Sequence, residues 1–148
     1  MSHEQTPAEV LRASLVDGGV GTLPSATPTG AWPIYVGHMP DKPDAAVCVY
    51  DTAGFREGRV QATGESIGKP GWEIMVRSAT HTDAIGRMRL IIAHLDGILR
   101  ETVVVDGDTW EIQAVSLVST VIDLGQEPES RRRFMFSLNG TMTHKEVS

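Results

Sequence analysis

Ser66 lies in Gly64-Glu65-Ser66-Ile67-Gly68, the G-x-S-x-G spacing of a nucleophile elbow. That device needs a strand just before the serine and a helix just after it, so that the hydroxyl stands exposed at a sharp turn. Lys69-Pro70-Gly71 follows here and blocks the helix, and 148 residues are too few for a complete doubly wound hydrolase. Ser66 therefore reads as a loop serine. Asp51-Thr52-Ala53-Gly54, after an apolar stretch, imitates the D-x-x-G magnesium switch of nucleotide hydrolases. A phosphate cradle must precede such a switch, and Gly68-Lys69 comes after Asp51, without the correctly spaced first glycine or the following Ser/Thr. Asp51 reads as the end of a strand. The histidines His3, His38, His81, His94 and His144 include no i, i+4 pair and have no cysteine partner, so neither a metal nor a cofactor is expected. Arg131-Arg132-Arg133 is the only dense positive run. It is either a solvated approach to a strand that discourages edge pairing, or a contact to carboxylates of another subunit.

The elements that would have to position these groups fit one domain, residues 1–148, with 41% apolar and 22% charged residues. A formal charge of −6 argues against general or specific nucleic-acid binding, which draws on a surplus of Lys and Arg. No apolar run approaches the roughly 18 residues of a membrane span. Met1-Ser2-His3-Glu4-Gln5 lacks the basic start and apolar stretch of a signal peptide, so the expectation is a protein made and kept in the cytoplasm. The lone Cys48 has no partner for an internal disulfide and sits in an apolar, strand-like run, where a thiol packs.

Thr6-Pro7-Ala8-Glu9 is a capping box with proline at the first helical position, and Ala8, Leu11 and Leu15 share a face until Gly18-Gly19. Residues 18–33 hold three prolines and read as an extended connector. Short strands are predicted at 34–36 and 45–50. Residues 51–71, with five glycines, Pro70 and no apolar period, read as a second long loop, mobile in the free subunit. In 72–78, Trp72, Ile74 and Val76 alternate with Glu73 and Arg77, the pattern of a strand with one wet face. Thr82-Asp83 opens a helix in which Ile85, Met88, Ile91, Ile92 and Leu95 follow three-and-four spacing up to Asp96-Gly97. Asp106-Gly107 makes a type I′ hairpin turn. In the arm that follows, Trp110 and Ile112 are out of phase with Val115 and Leu117, which predicts a bulge near Ala114, and Leu124-Gly125 ends that strand. Phe134, Phe136 and Leu138 alternate in a last strand. The sum is an α+β fold: an antiparallel twisted sheet with one main helix on one face and a short N-terminal helix.

Gly71-Trp72-Glu73-Ile74-Met75-Val76-Arg77-Ser78, Ala93-His94-Leu95-Asp96-Gly97, the Asp106-Gly107 hairpin, Leu124-Gly125-Gln126-Glu127 and Arg133-Phe134-Met135-Phe136-Ser137-Leu138-Asn139-Gly140 together resemble the minor capsid or tail terminator proteins of long-tailed bacteriophages. The resemblance covers about two thirds of the chain in element order and landmark residues. It implies a non-enzymatic structural protein, commonly a hexameric ring, that stops growth at the head-proximal end of the tail tube and meets the head connector. Its place would be the host cytoplasm during assembly and then the virion tail, with the tail tube protein and the head connector protein as partners. Alternatives are another neck protein, a tail-tube subunit or, from a different class, a small hydrolase using Ser66 or a nucleotide binder using Asp51. Within the 51–71 loop, Phe55 would be an apolar anchor and Arg56, Glu57 and Arg59 polar contacts, with Arg131, Arg132 and Arg133 as a second candidate interface.

Overall fold

The computed structural model describes residues 5–24, 32–59, 66–127 and 132–147, with the backbone alone at 54–59 and 66–68. Along it run helix α1 (Pro7–Asp17), strands β1 (Ile34–Val36), β2 (Ala46–Arg59) and β3 (Ser66–Ser78), helix α2 (His81–Asp96), and strands β4 (Glu101–Val105), β5 (Asp108–Leu117), β6 (Ile122–Gln126) and β7 (Phe134–Val147).

Alternation in β3 sets the layering. Val76, Ile74 and Trp72 stand opposite Phe136, Leu138 and Gly140 of β7, while Val47 and Val49 of β2 flank Val76 and Ile74 on the other side. This makes one continuous apolar face. A side chain at position 140 has no room, because a Cβ there would lie 2.2 Å from the Trp72 ring and 2.3 Å from the Ser116 carbonyl oxygen. The strand order is β1-β2-β3-β7-β5-β4, with β6 also on β7. Every pair is antiparallel except β1–β2. β7 serves two neighbours along one edge, β6 through residues 134–137 and β5 through residues 140–147. The predicted bulge falls between Ile112 and Ala114. It brings Val115 and Leu117 back to the core side, where they pack against it with Trp110 and Ile112. What reads in sequence as one strand up to Leu124 is broken at 118–121, where Val118 N–H and Ser119 N–H both donate to the Asn139 carbonyl.

Each helix buries its apolar stripe on the core side of this sheet. Thr6 caps α1 by accepting from Glu9 N–H at 3.3 Å, and Ala8, Val10, Leu11 and Leu15 are buried. α2 starts one residue before Thr82, with Thr80 as its cap accepting from Asp83 N–H at 3.2 Å. It buries Ala84, Met88, Ile91 and Leu95 against β3 and β7. α1 touches β1 and β2 near one end of the strand order and β4 at the other, which requires the sheet to curl around it.

The 51–71 loop is a correction. Residues 51–59 and 66–71 are strand, and β2 and β3 pair from Ala46↔Arg77 out to Arg59↔Ser66, with register shifts between Thr52 and Phe55 and between Arg56 and Gly58. Glycines and bulges obscured the pattern. Beyond Gly71↔Thr141, where β3 leaves β7, no further strand among the described residues pairs with this hairpin.

Candidate functional site

Asp51 lies within β2 rather than at the end of a strand, opposite Trp72, and its Oδ1 accepts from Ala8 N–H at 2.8 Å. It is an external cap for α1, placing a carboxylate where the first turn offers unpaired N–H groups and the positive end of the helix dipole. The switch reading of Asp51 thus has a structural replacement. Ser66 is the first residue of β3, so a strand rather than a helix follows it, contrary to the elbow geometry.

A different serine meets a histidine. Ser14 Oγ lies 2.9 Å from His94 Nε2 and donates to Glu101 Oε1 at 2.9 Å. Sequence reasoning missed this group, because its members lie 80 and 87 residues from Ser14 and no spacing rule connects them. The arrangement is not a nucleophile with its base. The hydroxyl proton goes to Glu101, so the histidine donates to the serine, and Ser14 is fully buried where no substrate carbonyl can approach. The trio ties α1 to α2 and β4. Gln5 works likewise, accepting from Trp110 Nε1 at 2.8 Å and donating to Asp108 Oδ2 at 3.0 Å.

On the opposite face of the sheet the charged residues gather around residues 40–44. Arg133 is buried, contrary to both readings of the arginine run. Its guanidinium forms a fork with Glu127, Nε to Oε2 at 2.7 Å and Nη2 to Oε1 at 3.1 Å, and also reaches Asp41 Oδ1 at 3.1 Å, Asp44 Oδ1 at 3.4 Å and the Asp41 carbonyl. The expected carboxylates are there, but they belong to the same chain. A planar fork matches paired acceptors in a way that sequence cannot reveal until the fold brings residues 41 and 133 together. Arg77 lies alongside, donating to the carbonyls of Pro40, Pro43 and Asp44. Its pKa is lowered by burial and then by Arg133. The hydrogen-bonded Arg133 guanidinium holds Glu127 below the usual carboxylate range. Arg132 is exposed with φ of +47°, and its carbonyl accepts from Gln126 Nε2 at 2.7 Å. Arg131 lies outside the described residues.

Phe55, Arg56 and Arg59 are on the outer part of β2, opposite Lys69, Gly68 and Ser66, and Glu57 occupies the register shift between Arg56 and Gly58. The structure therefore places this candidate set on a hairpin arm, apart from the Arg133 cluster. Among the described residues no group of three or more His, Cys, Asp or Glu side chains is arranged to hold a metal. No helix among the described residues is long and apolar enough to cross a membrane. Of the histidines, His144 packs its ring 5.0 Å from that of Trp110 and its pKa is lowered by burial, while His81 stands edge-on to Phe134 and Phe136.

The polar clusters of the described residues join one element of the fold to another. The family model described as bacteriophage tail terminator protein matches residues 14–143, and the chain belongs to that family. The family is one of structural proteins of the virion tail and not a class of enzymes. No curated protein matches the chain closely enough to count as a relative.

Proposed function

We propose that this protein forms a ring, commonly of six copies in such proteins, on the head-proximal end of the tail tube, where it stops tube growth and offers its other face to the head connector. The family match over residues 14–143 carries this reading. The hairpin arm supports it, since a two-stranded ribbon beside which no further strand lies among the described residues gains stability from a neighbour. Phe55, Arg56, Glu57 and Arg59 on that arm are the residues we assign to the contact, with the host cytoplasm as the place of assembly. Arg133 is spent inside the subunit and is left out. A net charge of −6 would let a ring repel DNA in its lumen wherever the carboxylates face inward.

The test is to add the purified protein to growing tubes of the cognate tail tube protein and measure tube length by electron microscopy. Short tubes with the protein at one end are expected. Tubes of unchanged length refute the terminator reading, and incorporation along the whole tube makes the protein a tube subunit.

A further inference from the structure

β5 has β4 beside it only as far as Ile112, and β6 has only β7. Along this side of the sheet, residues 113–117 and 122–126 therefore present backbone N–H and C=O groups to which no strand among the described residues pairs. Such an edge is a template for another strand. Natural edges are commonly guarded by lysines, prolines or a covering helix. This one instead exposes Val118 at 62%, Ile122 at 41% and Leu124 at 49%, and all of β6 is exposed. Between residues 113 and 126 the only charged residue is Asp123, so what charge the edge carries is negative.

The same chain holds a segment with the complementary properties. The outer part of the β2–β3 hairpin runs on past Gly71↔Thr141 for five more residues of β3, about 17 Å at strand rise. β1 flanks β2 only at residues 47–49. Over residues 52–59 and 66–71 its two strands carry Arg56, Arg59 and Lys69 against Glu57, a net positive stretch in a chain that is otherwise acidic.

We propose that the hairpin arm of one copy adds to the β5–β6 edge of the next, continuing the sheet from subunit to subunit. This rests on the ring-forming reading above and specifies its contact. Backbone pairing supplies the join, the apolar side chains of Val118, Ile122 and Leu124 give it a dry side, and the positive arm meets an edge whose one charge is Asp123. Arm and edge are different surfaces of the same chain, so the contact is heterologous and a closed ring is the finite way to satisfy every copy.

Two variants test this. One carries Ile122→Lys and Leu124→Lys, placing charges on the edge. The other replaces residues 55–69 with a short Gly/Ser turn, removing the arm. Both should melt close to the parent, because neither touches the core, and each alone should weaken self-association by about tenfold or more in analytical ultracentrifugation. Mixed together they should form 1:1 heterodimers and stop there, since the arm of the lysine variant finds the intact edge of the shortened one and no second contact remains. Rings of normal strength from either variant, or no heterodimer from the mixture, overturn the arm-to-edge contact while leaving the ring reading in place. A parent protein that stays monomeric, alone and on tube ends, overturns both.

Discussion

Replacing Arg133 with methionine keeps much of the volume of its stem and removes five hydrogen bonds from a guanidinium whose side chain is 4% exposed. The partners do not count equally. Glu127 is 19% exposed and held in a fork, so losing its cation leaves a poorly solvated carboxylate. Asp41 and Asp44 are 53% and 63% exposed and water takes over their charge, so little is lost there. Breaking a well-buried pair costs about 3 to 5 kcal/mol. With two of three carboxylates solvated, Arg133→Met should cost about 3 kcal/mol, and at this chain length the melting temperature should fall by about 6 to 12 °C. Glu127→Gln, which keeps one acceptor oxygen, should cost about 1 to 2 kcal/mol, and Asp44→Asn less than about 0.5 kcal/mol. Arg133→Lys should recover only part of the loss, because an ammonium cannot reproduce the fork. Urea unfolding of the four variants gives the series directly. A loss below about 1 kcal/mol for Arg133→Met, or an Asp44→Asn effect as large as that of Glu127→Gln, would refute the view that burial rather than charge count makes this cluster matter.

Leu95, on the buried stripe of α2, should cost about 2 to 5 kcal/mol on replacement by alanine, and a chemical melt showing less than about 1 kcal/mol would contradict its packing against the sheet. Gly140→Ala should destabilise by about 1 to 3 kcal/mol, because its methyl meets both the Trp72 ring and the Ser116 carbonyl; a neutral outcome in the same melt would mean the strand shifts freely. Asp51→Ala should lose about 1 kcal/mol through the α1 cap, and neither it nor Ser66→Ala should alter any ester or nucleotide turnover, since none is expected of the parent. Acid should weaken the fold in two stages. The lowered pKa of His144 gives it a share of stability that is whole above about pH 6.5 and lost as the pH falls below that through the folded value. The share of Glu127, also lowered, is whole above about pH 4.3 and lost further down. Unfolding free energies against pH for His144→Gln and Glu127→Gln should each lack one of the two stages.

Where local pattern and burial agree, the sequence was a sufficient guide. The stripe of α2, the Asp106-Gly107 turn and the phase change that announces the bulge before Ala114 each follow from side chains that must reach one core. Legibility ended where tertiary pairing decides. Residues 51–71 carry the composition of a loop, yet β2 and β3 pair through most of that stretch, because the two backbones satisfy each other's hydrogen bonds. Arg133 sits in a charged run that looks solvated, and only the fold brings residues 41, 44 and 127 to it. The Ser14, His94 and Glu101 contact has no sequence signature, and the parallel pairing of β1 leaves none in a run of three residues. For the candidate interface, residue types were visible but placement was not, so Arg133 went to the interior and Phe55, Arg56, Glu57 and Arg59 to an arm.

α1 leaves the ribosome before the other described elements and is among the last of them that can settle. Its polar anchors lie far downstream, with Asp51 43 residues from Ala8 and His94 and Glu101 80 and 87 from Ser14, while Trp110 holds Gln5, just before the helix, from 105 residues away. Until β4 and β5 have been synthesised the helix has no floor across the curl of the sheet, and its apolar stripe stays open to water or to other chains. A nascent chain stalled before residue 100 should leave residues 7–17 open to protease, and one carried past residue 117 should close them off. Protection in the shorter chain would show that the helix docks without its distant strands. The order of synthesis thus runs against the order of closure, which favours slow folding and makes unfinished chains the form most exposed to wrong partners.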